Sequence, residues 1–177
     1  MKSRILSLSA VSAAFIAIAL TVGAYFEFAD VFALVISSVF VILPIYLRSY
    51  KGSVLAYLAG GVIAFFCSGF NLLSLVFPVY FLFFGIYPIV KNKLIEKNFN
   101  KYLGFFIGLL WFIIIAYGAY FYYTLIMHGV LDGLPSWFYD YVLYVVAIIA
   151  IIFYVIYDRF IYVIRFVINR YLGRIIK

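Results

Sequence analysis

Residues 102–127 read YLGFFIGLLWFIIIAYGAYFYYTLIM, twenty-six positions without a charge. A helix rises about 1.5 Å per residue and a bilayer core is about 30 Å thick, so about 20 such residues cross it. Nothing in a water-soluble fold requires an uninterrupted apolar stretch of that length, so this one run already places the chain in a membrane.

Working outward, charges mark where neighbouring runs stop. On the N-terminal side lie Leu72 to Val90, Ser53 to Ser68, Val31 to Leu47 and Ile5 to Phe26. Lys91, Lys93, Glu96, Lys97 and Lys101 close the first of these, Gly69-Phe70-Asn71 separates the next pair, Arg48 and Lys51 the next, and Glu27 and Asp30 the last. On the C-terminal side, His128 to Ser136 reads as a loop with Gly129, Asp132, Gly133 and Pro135, and Trp137 to Tyr157 is again apolar. The expectation is an all-α polytopic membrane protein. Six transmembrane helices over 1–157 form a compact bundle, and a basic amphipathic extension over 158–177 is cytoplasmic. In that extension Arg159, Arg170, Arg174 and Lys177 share one face, and Phe160, Ile164, Val167, Ile168 and Ile175 the other. It either lies in the headgroup plane or prolongs the sixth helix. Whole-chain composition agrees: 69% of the 177 residues are hydrophobic and 11% charged. Such a chain cannot cover a soluble globule with polar surface. That excludes a cytosolic enzyme, a nucleic-acid-binding domain and a disulfide scaffold.

Orientation follows from Lys and Arg, which stay on the cytoplasmic side. With both termini cytoplasmic, all 13 basic residues fall inside with only Glu96 and Asp158, an excess of +11. Glu27, Asp30, Asp132 and Asp140 fall outside, and the two faces account for the net charge of +7. The basic balance is thus a topology signal, and the expected location is the plasma membrane. The first run, preceded by Lys2 and Arg4, also fits a signal peptide, but it is longer than the usual signal core and reads as a retained helix. Cys67 is the only cysteine and reads as a small buried residue of the third helix.

Catalytic chemistry is hard to place. Every ionisable residue falls at a helix end or in a loop, whereas proton and ion pathways use such groups at depth. Tyr139-Asp140 and Tyr157-Asp158 resemble the pairs of intramembrane aspartyl proteases but lie about 27 Å apart on one helix. The only histidine, His128, has no serine elbow near it, and no phosphate-binding loop is present. The chain is therefore read as a non-enzyme, with no cofactor and no metal. His128 with its acidic neighbours lacks ligand spacing.

Two features point to binding. The outer halves of the fifth and sixth helices carry stripes at helical spacing: Tyr117, Tyr120, Phe121, Thr124 and His128 on one, Trp137, Asp140, Tyr141 and Tyr144 on the other. Joined by a short loop, these helices are expected to be antiparallel neighbours. With Glu27 and Asn71 at the same level, the stripes suit an outward-opening site for a flat organic molecule, or else an interfacial aromatic belt. The second feature is small residues four apart, which let membrane helices approach closely. The third helix has Gly52, Ala56, Gly60, Ala64 and Ser68, and the fifth Gly104 and Gly108, both read as internal packing. The first helix has two ladders, Ala10 with Ala14, and Ser9 with Ala13 and Ala17, open to internal packing or to an outside partner. On the inner side, Pro88 in FFGIYP (83–88) reads as the end of the fourth helix or as an elbow.

Size, topology and Ala10-x-x-x-Ala14 on the first helix resemble the S components of energy-coupling factor transporters. That resemblance implies six helices with both ends cytoplasmic, a vitamin-like ligand bound from outside, and a partner transmembrane subunit with two ATPases. The partner would contact Ala10, Ala13, Ala14 and Ala17. The Met-Lys start differs from the Met-His of the cobalt and nickel members. The stretch from Phe83 to Lys91 also resembles a group of uncharacterised bacterial membrane proteins. The alternative is a membrane scaffold, similar in size to the rod-shape proteins, that recruits envelope or division proteins through its basic cytoplasmic face.

Overall fold

A computed structural model of the chain describes residues 2–47, 49–71, 74–126 and 136–175. Among them there is no strand. Helix α1 spans Lys2–Tyr25, a 3-10 turn Glu27–Ala29, α2 Asp30–Tyr46 and α3 Tyr50–Cys67. Then come α4 Val76–Val79, a π-helical segment Tyr80–Phe84, α5 Ile86–Glu96, α6 Lys101–Ile126 and α7 Ser136–Ile175. The backbone stays right-handed helical through the junctions at Tyr80 and Gly85. Thus α4, the π segment and α5 form one interrupted rod.

Among the described residues, four helices are long and apolar enough to cross a bilayer: Ser3–Tyr25, Tyr50–Cys67, Lys101–Leu125 and Tyr141–Ile168. The α2 helix is apolar but only 17 residues long, and the fourth rod is broken. The exterior fits a lipid environment. Phe28 is 82% exposed and Ile114 69%, and large apolar side chains line the outside along the length of the helices. Buried polar residues are serines and Asn92, whose side chains bond to backbone in several cases. Ser9 donates to the Ile5 carbonyl at 2.8 Å, Ser38 to Leu34 at 2.8 Å and Asn92 to Pro88 at 2.8 Å. Serine lowers the barrier to close packing and disposes of its hydroxyl within its own helix.

Two readings that the sequence left open are decided, and one expectation is corrected. Pro88 does not end the fourth rod; α5 runs through it to Glu96. Proline lacks the N–H that would bond to the Phe84 carbonyl, and its ring presses on that turn. The turn before it widens, with Gly85 N–H donating to the Tyr80 carbonyl at 2.9 Å, five residues back. Tyr57 of α3 donates to the Phe81 carbonyl at 2.9 Å, and Tyr80 donates to Tyr57 at 3.1 Å. Gly85 is required here, because a Cβ would strike the Tyr57 ring. Cys67 is exposed, not buried, because it ends α3 just before the left-handed Gly69 (φ 69°) and Phe70 (φ 59°) turn the chain. Finally, α7 does not stop at Tyr157. Of the two readings of the tail, continuation of the helix holds up to Ile175.

Candidate functional site

The small-residue ladders sort by face. Ser9, Ala13 and Ala17 are buried with Ile16 and Leu20 against α3. A Cβ on Gly52 would lie 2.6 Å from the Ser9 hydroxyl oxygen, and one on Gly60 2.7 Å from Ile16 and 2.9 Å from the Ala13 carbonyl. Ala56 and Ala64 are fully buried in the same seam. Of the four residues expected to face a partner, Ala13 and Ala17 are therefore used inside the bundle. Ala10 and Ala14 are exposed. One helical position, about 100°, separates the ladders, enough to put one on α3 and leave the other outside.

Among the described residues, Tyr117 of the first stripe donates its hydroxyl to the Leu143 carbonyl of α7 at 3.0 Å. Tyr120 packs its ring on Phe121 at 5.5 Å, and Thr124 turns its hydroxyl back to the Phe121 carbonyl at 2.9 Å. Tyr141 and Tyr144 stand on the exterior, 57% and 68% exposed. Trp137 and Asp140 belong to α7 and Glu27 to the 3-10 turn, and their side chains lie outside the described residues; His128 lies outside them altogether. Asn71 directly follows the left-handed pair Gly69-Phe70. Among the described residues, no group of three or more His, Cys, Asp or Glu side chains is placed to hold a metal ion.

The densest polar chemistry is elsewhere, where α5, α6 and α7 meet. Asp158 accepts from the Tyr87 hydroxyl and from Lys91, which also donates to the Asp158 carbonyl at 3.0 Å. The Tyr87 and Tyr154 hydroxyl oxygens lie 2.9 Å apart, and the single Tyr154 proton goes either to Tyr87 or to the Phe105 carbonyl of α6 at 3.0 Å. Next to them, Tyr157 donates to Ser38 of α2 at 2.8 Å. Rings seal the cluster: Phe83 stacks on Tyr87 at 4.8 Å, and Phe84 meets Tyr157 at 4.9 Å. Gly108 makes room, since a Cβ there would meet Tyr87 and Tyr154. Each carboxylate, ammonium and hydroxyl named here has a partner, so the cluster is a clamp between helices and not a vacant site.

The sequence reading missed this clamp because it placed Asp158 just past a helix end. A signal existed. Tyr87 and Lys91 are four apart, and so are Tyr154 and Asp158, so each pair lies on one helical face. No protein-family model, curated protein or solved structure matches the chain.

Proposed function

We propose that the chain is a six-span plasma-membrane subunit, both termini cytoplasmic, that captures a small organic solute from outside and delivers it with a partner transmembrane protein docked on α1. The observation that carries the reading is the division of α1. One small-residue ladder is packed on α3, while Ala10 and Ala14 stay exposed. Exposed small residues on a membrane helix suit close approach of another helix. Counting α2 and the interrupted rod as spans gives six and places every basic residue on one side. On this reading the solute site draws on the residues that the sequence pattern singled out: Tyr117, Tyr120, Thr124, His128, Trp137, Asp140, Tyr141, Tyr144, Glu27 and Asn71.

The test is copurification from native membranes. Wild-type protein is expected to bring down a transmembrane subunit with ATPases, and Ala10→Trp/Ala14→Trp to lose it while still inserting and retaining its solute. Assembly that survives the double substitution refutes docking at this face. A second reading is favoured by α7, which runs 40 residues and carries Arg159, Arg165 and Arg170 along its C-terminal half. Such a rod suits a scaffold that recruits envelope or division proteins, and those proteins would then be the ones recovered.

A further inference from the structure

We propose that the groove between the inner ends of α1 and α2 binds an anionic phospholipid, with the phosphate held at Arg4. The groove is lined by Ser3, Arg4, Ser7, Leu8, Val11 and Leu47. Its polar residues cluster at the start of α1, and its apolar walls follow one to two turns further in. From Arg4 to Val11 the helix rises about 10 Å. That is close to the depth over which a bilayer passes from headgroups to acyl chains, about 7 Å on each side. Phe15 and Phe40 stack at 4.7 Å one turn beyond Val11, joining α1 to α2 where the groove ends.

Charge selects the occupant. Lys91 takes Asp158 as its partner, and among the described residues no ion pair holds Arg4. A guanidinium and two hydroxyls four residues apart offer a phosphodiester several donors. Free phosphate would leave Leu8, Val11 and Leu47 unused. The groove's walls include the exposed Ser3 and Ser7 but not Ala10 and Ala14. The groove therefore borders the proposed docking face, and the lipid inference rests on Arg4 and the apolar walls, not on that docking.

The experiment is native mass spectrometry of the full chain released from mild detergent and titrated with phosphatidylglycerol or phosphatidylcholine. Wild type is expected to retain one phosphatidylglycerol about fivefold better, the factor one arginine near an anionic surface supplies. Arg4→Gln should bring phosphatidylglycerol down to the phosphatidylcholine level. Val11→Trp should weaken both lipids by filling the apolar end, and Arg170→Gln on α7 should change neither. A preference that survives Arg4→Gln, or falls equally with Arg170→Gln, overturns the site. So does equal retention of the two lipids by wild type. Displacement of the bound lipid by millimolar inorganic phosphate would show a headgroup-only contact and overturns the acyl half of the proposal. Circular dichroism of each variant confirms that the helices are intact before binding is read.

Discussion

Asp158→Asn is expected to loosen α7 from α5, and its size follows from the clamp. Lys91 and Asp158 are 16% and 14% exposed, so neither charge is well solvated. Removing one member of a buried pair costs roughly 3–5 kcal/mol, because the other charge is left uncompensated. Some solvent access places Asp158→Asn at the lower end, about 3 kcal/mol. Lys91→Met strands the carboxylate, which still accepts from Tyr87. One charge-assisted bond of that kind offsets part of the loss, leaving about 2 kcal/mol. The double variant has no stranded charge, so it is expected to lose about 3 kcal/mol in total and not the sum of about 5, a coupling of about 2 kcal/mol. Reversible unfolding in mixed micelles, followed by near-ultraviolet circular dichroism, measures all three variants. Additivity within about 0.5 kcal/mol would refute the clamp, since residues in one network do not act independently.

The remaining expectations concern packing, helix continuity and sidedness. Gly60→Ala should cost about 1–3 kcal/mol by overpacking the seam of α1 and α3, whereas Gly118→Ala, with open space around its Cβ, should be neutral or stabilise by up to about 1 kcal/mol in the same assay. Spin labels at positions 148 and 170 should lie about 33 Å apart by pulsed electron paramagnetic resonance if α7 is straight. A right-angle bend at Asp158 would shorten that to about 23 Å and disprove the continuous helix. In a Cys67→Ser background, a cysteine at position 30 should react with an impermeant reagent from outside. One at position 97 should react only after permeabilisation, and external labelling at 97 would invert the topology.

Much of this fold is written in the sequence as charge-free runs, because a run of apolar residues in lipid must satisfy its backbone internally and so must be helical. The packing seam of α3 is written there too, since Gly52, Ala56, Gly60 and Ala64 recur at the one spacing that keeps them on a face. What spacing does not specify is which of two adjacent faces finds a neighbour. Ala10/Ala14 and Ala13/Ala17 are equivalent by pattern, and only the position of α3 separates them. The sequence leaves the end of α7 open for a different reason. A charge ends an apolar run, but it does not end a helix, and between Ser136 and Leu172 there is no glycine or proline to do so. With α7 continuous, Asp158 becomes an interior residue of that helix and must find a counter-charge, which Lys91 provides. The sidedness argument is insensitive to where α7 ends. Lys91 and Asp158 were counted together on the inner face, and withdrawing both into the clamp removes one charge of each sign. The inner excess stays at +11. A pair that neutralises itself carries no information about orientation, so the orientation argument rests on the twelve basic residues left outside it: Lys2, Arg4, Arg48, Lys51, Lys93, Lys97, Lys101, Arg159, Arg165, Arg170, Arg174 and Lys177.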